Sequence, residues 1–240
     1  MQLSGKTALI TGGTDGIGAE LIRQLRDKGV TVITQGRNPD RVAATRADGF
    51  EVIEADLSSA EGVRAVIDAV AGRTIDILVN NAGAGVDHDF RDHAPDPVAA
   101  DAVIFLNLDA PIHLTCALMP MLRSQPEAMI VNTTSGLAIA PRAGSPVYCA
   151  TKAGLRSYTQ ALRAQLKGTG IHVVEALPPV VETKMTAGRN GGKMPAAECA
   201  RQFVVAMERN AAEANVGLVK LLQVVHSISP ALARRIMLKF

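Results

Sequence analysis

Short apolar runs alternate with longer stretches whose apolar residues recur at helical spacing. The runs 7–11, 30–34, 51–54, 75–80, 129–133, 172–176 and 216–221 are mostly Val, Ile and Leu, as strands buried on both faces should be. Between them, 17–27, 39–46, 60–71, 97–122, 146–166 and 196–210 are predicted helices. Pro39 and Pro97 suit first helical turns, and Ser59 precedes an acidic one. Gly29 and Gly168 suit helix ends. Such a succession of β-α units predicts an α/β protein with a Rossmann-type doubly wound parallel sheet. It should have about seven strands, helices on both faces and right-handed crossovers. No linker, repeat or low-complexity segment divides the chain, so 1–240 reads as one domain. Ligands of such sheets bind beyond the carboxyl ends of the strands, where the strand order reverses.

Composition narrows the class. Apolar residues make up 48% of the 240 but aromatics only 3%, so the core must be Ala, Val, Leu and Ile. A net charge of +2 with 20% charged residues and no basic stripe gives no footprint for nucleic acid. The chain enters a strand pattern almost at once, without a signal-peptide layout, and has no apolar run long enough to span a membrane. Cys116, Cys149 and Cys199 are widely spaced, match no metal pattern and are expected to be buried or half-buried in a reducing, cytoplasmic setting.

Candidate chemistry gathers at the predicted strand ends. The first strand runs into Thr11-Gly12-Gly13-Thr14-Asp15-Gly16-Ile17-Gly18, then a helix. Glycines at 12, 16 and 18 permit a tight turn and close approach to a pyrophosphate, which the helix N-terminus then faces. The second strand ends Gly36-Arg37-Asn38, with no acid for a ribose 2′-hydroxyl. A guanidinium there suits a 2′-phosphate, so NADP(H) is favoured over NAD(H). Asp56, followed by Leu57, either meets the adenine amino group or caps the next helix with Ser58. The fourth strand ends Asn80-Asn81-Ala82-Gly83, small and amide residues over which a ligand can lie.

Tyr148 and Lys152 stand four residues apart on a predicted helix, so they share a face one turn apart. An ammonium beside a phenol favours the phenolate and can tune it as a proton donor. With Ser135, thirteen residues upstream of Tyr148, the set suggests carbonyl or alcohol chemistry.

In this combination and order, the motifs resemble those of the short-chain dehydrogenases/reductases, in their branch of about 250 residues. The likeness runs from Lys6 to about Gly217. It implies that Tyr148 exchanges a proton with the substrate oxygen, Lys152 also binds the nicotinamide ribose, and Ser135 holds the oxygen. It implies too that Asn107 holds a water relaying protons to Lys152, and that Val181 and Thr183, after Pro178, touch the nicotinamide carboxamide. The four-residue spacing favours reduction of C=O over C=C. A small-molecule carbonyl or alcohol is then the substrate, and a homodimer or homotetramer the assembly, through the helices 97–122 and 146–166. The rival reading is a nucleotide-binding sensor or scaffold without turnover. Such members often lose the Tyr or the Lys, and this chain keeps both.

Two departures stand out. Pro178-Pro179 replaces the family's usual Pro-Gly, removing φ freedom and an N–H donor. Asp15 stands where some NADP-selective members carry a base. The Pro-Pro loop and the ending 216–240 are similar to a minor branch named after the D-alanine–lipoteichoic acid operon oxidoreductase.

Substrate specificity should reside where the pattern is weakest. Segment 84–96 holds His88 and His93, read as solvated loop histidines rather than metal ligands. Segment 183–195, with Gly188, Gly191 and Gly192, is a candidate substrate lid. Leu137, Ile139, Val181, Met185 and Met194 suggest an apolar, adaptable wall. The extension 222–240 has Leu232, Ile236, Leu238 and Phe240 among Arg234, Arg235 and Lys239. A subunit contact or the edge of a substrate cleft suits it better than an amphipathic helix on a membrane.

Overall fold

The computed structural model describes residues 1–92, 96–188 and 191–239. Seven strands form one parallel sheet: β1 (Thr7–Thr11), β2 (Thr31–Gly36), β3 (Glu51–Glu54), β4 (Ile77–Asn80), β5 (Ala128–Thr133), β6 (Ile171–Leu177) and β7 (Glu213–Asn215). Their spatial order is β3-β2-β1-β4-β5-β6-β7. The order reverses between β1 and β4, so a crevice opens at the carboxyl ends of those two strands.

Successive strand residues feed two cores, because side chains alternate across a sheet. Ala8 and Ile10 of β1 face one layer, with Leu21, Ile22 and Leu25 of α1 (Gly16–Asp27) and Val42 of α2 (Pro39–Ala47). Leu9 faces the other, with Val63 and Val66 of α3 (Ala60–Ala69). The helices start where local chemistry satisfies their free N–H groups. The Asp15 carboxylate accepts from Gly16 N at 2.9 Å, the Asn38 side chain from Arg41 N at 3.0 Å and Ser59 from Gly62 N at 3.2 Å. Asp56 instead accepts from Ser58 N at 3.0 Å, so the cap of α3 is Ser59 rather than Asp56 with Ser58.

The predicted helix 97–122 is not regular. α4 (Pro97–Ile104) passes into a π-turn over Phe105–Asp109 before α5 (Ala110–Arg123). α6 (Pro146–Gln165) then crosses beside this pair, and α7 (Ala196–Glu208) packs against α1.

The predicted strand 216–221 is a correction. β7 lies just before it, and α8 (Val219–Ile228) begins within it. The apolar run is a turn and helix start in which Val216 and Val219 are buried and Leu218 and Leu221 exposed, while the true strand is a three-residue edge paired with β6. α9 (Pro230–Met237) folds back after Ser229, whose hydroxyl accepts from Leu232 N at 3.2 Å. Phe240 lies outside the described residues. Cys149 and Cys199 are buried, but Cys116 is exposed on α5, contrary to expectation. Burial raises the Cys199 thiol to about 12, so it stays protonated at neutral pH.

Candidate functional site

A cleft of about 1120 Å³ opens over the carboxyl ends of the strands. At its β1 end the glycine-rich turn is packed to contact. A Cβ on Gly18 would stand 2.1 Å from Gly12 O, and one on Gly12 2.9 Å from the Ala82 Cα. Thr11 Oγ1 accepts from Asn81 N and Ala82 N at 3.0 and 2.9 Å, fixing the Asn81-Ala82-Gly83 turn against β1. At these glycines backbone meets backbone with no room for a side chain, as close approach of a pyrophosphate requires. Thr14, Ile17 and Gly18 line it with Gly12 and Gly16.

Charged groups close the far side of that end. Arg37 reaches Asp56 at 3.3 Å, and Arg41 reaches Asp15 at 2.6 Å. Hydrogen bonding and charge at Ser58 and Arg37 hold the Asp56 carboxyl low against the opposing effect of its burial. Asn38 and Leu57 stand beside these pairs in the cleft wall. Arg41 was not singled out from the sequence. Its position, one helical turn after Arg37 in the first turn of α2, was the available signal.

Mid-cleft, the end of β5 meets α6. Ser135, after β5, and Tyr148 and Lys152, on α6, all line the cleft. Lys152 is buried, and its Nζ donates to Thr133 O at 2.9 Å while lying 5.8 Å from the Tyr148 ring centroid. Burial lowers its ammonium to about 8. Ser135 Oγ accepts from Leu137 N at 3.1 Å, which orients the hydroxyl.

Asn107 is fully buried behind this group rather than in the cleft wall. It occupies the π-turn, where its amide exchanges hydrogen bonds with Ala84 at 3.0 and 2.8 Å and donates to Thr151 Oγ1 at 3.2 Å. A Cβ on Gly83 would lie 3.0 Å from Asn107 Oδ1 and 3.4 Å from Lys152 Nζ, so these residues meet across the β4 loop. A π-turn interrupts the regular hydrogen-bond ladder, and such turns concentrate at functional sites.

Below the group runs a buried charged chain. Glu175 on β6 accepts from Thr134 Oγ1 at 2.8 Å and pairs with Arg156 of α6 at 2.8 Å. Arg156 also reaches Glu213 of β7 at 3.2 Å. Burial pushes the Glu175 carboxyl up, against Thr134 and Arg156.

The loop after β6 keeps its reach despite Pro179. Val181 bridges to Met194, and a Cβ on Gly16 would stand 2.8 Å from Thr183 Cγ2. Pro178, Val181 and Thr183 therefore carry the loop across the cleft to the β1 turn. His88 is buried rather than solvated, its ring edge-to-face with Phe90 at 5.0 Å, and its backbone N–H donates to Gly144 O at 3.2 Å. His93 lies outside the described residues. Among the described residues no group of three or more His, Cys, Asp or Glu is placed to hold a metal. Leu222 of α8 and Met237 of α9 also line the cleft; both lie in the extension 222–240, read from the sequence as a subunit contact or a cleft edge, although neither residue was singled out.

Comparison with known proteins adds four findings. The family model described as short chain dehydrogenase matches residues 6–193. The uncharacterized oxidoreductase DltE of Bacillus subtilis (strain 168) is 39% identical over 187 residues, covering 76% of this chain and 74% of that protein. A solved short chain dehydrogenase from Burkholderia cenocepacia J2315, in complex with NADP, superposes with a TM-score of 0.88 at 25% identity, over 99% of each chain. A 3-ketoacyl-(acyl-carrier-protein) reductase from Brucella melitensis, complexed with NADH, gives 0.79 at 27% identity, over 88% of this chain and 93% of that one.

Proposed function

Because this chain belongs to the short-chain dehydrogenase family, a family of oxidoreductases, we propose that it interconverts a carbonyl compound and its alcohol with NADP(H). The observation that carries the reading is the buried Lys152 ammonium, held by Thr133 O beside the Tyr148 ring in a cleft shared with Ser135. Bound nicotinamide supplies or accepts the hydride. Ser135 donates a hydrogen bond to the substrate oxygen and holds it within reach of Tyr148. In reduction the Tyr148 hydroxyl gives its proton to that oxygen, and Lys152 stabilises the negative charge left on the phenol. Asn107 keeps the β4 loop against Lys152 through its bonds to Ala84.

Arg37 and Arg41 support the phosphate-bearing cofactor. Both line the cleft just after β2, where Gly36-Arg37 stands in place of the strand-end acid that would hold a ribose 2′-hydroxyl. Their present partners, Asp56 and Asp15, are side chains a phosphate can displace in exposed ion pairs.

The test is a carbonyl panel run with NADPH and with NADH, on wild type and Tyr148→Phe. Turnover favouring NADPH, lost in the variant, is the expected result. Cofactor binding with no turnover of any carbonyl would make the protein a sensor rather than an enzyme.

A further inference from the structure

Beyond Ser135 the cleft changes character. The α8 helix packs directly on the residue next to that serine: a Cβ on Gly136 would stand 3.1 Å from Val219 Cγ2 and 3.6 Å from Leu222 Cδ2. Across from it, a Cβ on Gly85 would lie 3.7 Å from both Met185 Sδ and Tyr148 Cδ2. The α8 face thus meets the chain beside Ser135, and Met185 meets it beside the Tyr148 ring, at the same end of the cleft. Met237 of α9 extends the same wall outward.

This end of the cleft offers little polar recognition apart from those hydroxyls. The carboxylates lining the cleft, Asp15 and Asp56, are both at the β1–β3 end. Arg142 is engaged by Asp87 and Ser145, and Lys193 donates to Thr186 O at 2.5 Å and Ala187 O at 3.3 Å. Lys184 stands exposed at the mouth. Meanwhile apolar side chains that line the cleft remain open to water: Leu218 is 76% exposed and Met185 47%. Of the ten residues of α8, Val219 is the one buried, although the helix is largely apolar. Apolar surface left uncovered in a concavity beside reacting groups is the mark of a ligand site.

Building on the carbonyl–alcohol reading above, we propose that α8 and α9 form a binding wall for an extended apolar group. The substrate class is then a carbonyl compound or alcohol carrying an alkyl or comparably bulky hydrocarbon arm. The occupant is the substrate rather than another protein, because the apolar surface is continuous with the cleft that holds Ser135 and Tyr148.

The experiment is a homologous series of straight-chain aldehydes and methyl ketones of rising length, assayed with NADPH and NADH. We expect kcat/KM to rise about two- to fourfold per methylene until the arm outgrows the wall, as burial of each methylene predicts. Leu222→Ser and Met185→Ser should each narrow the ratio between the longest and shortest substrates about tenfold, and Leu222→Met should keep it. Met185 is half exposed in the 3₁₀ turn Lys184–Thr186, so its variant tests the wall without a core cost. Turnover of short members with no gain in length would overturn the apolar wall and leave the reductase reading intact. No turnover of any member with either cofactor would overturn both. A flat series together with a lower oligomeric mass for Ile228→Lys would make the exposed face of α8 a subunit contact instead.

Discussion

The two ends of the cleft are built from different materials. At the β1–β3 end, glycines bring backbone to backbone and the charged side chains already have partners, Arg37 with Asp56 and Arg41 with Asp15. At the α8–α9 end the lining is side chain rather than backbone, mostly apolar, and much of it faces water. A rigid backbone cradle suits a ligand whose phosphates never vary. A loose apolar wall suits one chosen by bulk, since hydrocarbon contact grows with area and asks little of geometry. Between them Ser135, Tyr148 and Lys152 serve both.

The sharpest break in this division falls at its centre. Tyr148→Phe should lower kcat by about 10²- to 10⁴-fold with either cofactor, the usual share of a positioned proton donor. NADPH binding, followed by nicotinamide fluorescence, should stay within a few-fold. Loss of binding equal to the loss of rate would mean the tyrosine belongs to the cradle.

The floor beneath the centre comes next. Arg156→Leu leaves the Glu175 carboxylate buried without its cation, and should cost about 3–5 kcal/mol of stability in urea unfolding. Glu175→Gln, which removes the charge, should cost less. An equal cost for both would mean that packing rather than charge holds α6 to β6.

Lys152 gives a pH signature. Burial brings its ammonium from the ordinary 10.5 to about 8 in the folded protein. Between those values the unfolded chain carries a proton that the folded chain lacks, so unfolding takes up a proton. Stability should rise with pH from about 8 towards 10.5, by up to about 3 kcal/mol, relative to Lys152→Met. Parallel pH profiles for the two proteins would count against a desolvated lysine. The most local effect belongs to the cradle: Arg37→Ala should weaken NADPH by about ten- to hundredfold and leave NADH unchanged. Equal losses for the two cofactors would remove Arg37 from any 2′-phosphate site.

The same contrast explains what could be read in advance. β1 falls where its apolar run puts it, because a buried parallel strand needs an apolar segment, and β3 falls on Val52-Ile53 although exposed glutamates flank them at the sheet edge. β7 escaped because Glu213 and Asn215 are polar. Glu213 is tolerable beside Glu175 in the ladder because Arg156 reaches both, a fact of packing that no local window contains. Glycine spacing and the Tyr148–Lys152 interval encode backbone geometry, so the motifs at the cradle and the centre were legible. Leu222 and Met237 lie in the extension whose apolar residues suggested a subunit contact or a cleft edge, but each is an ordinary apolar residue of a helix and no local pattern marks it as part of the cleft lining. Asn107 was found by resemblance, but the π-turn that carries it has no composition of its own.

That π-turn does something to the helix as a whole. One surplus residue over Phe105–Asp109 advances the angular phase of everything after it by about 100°. The 27-residue run Pro97–Arg123 thus behaves as two helices sharing an axis but not a seam. Its second half can turn Leu114, Leu118 and Leu122 into the core while the first half leaves Val98 and Ile104 outward. Deleting a single residue there would restore an even winding and force the two seams into line. One of the two halves would then present the wrong side.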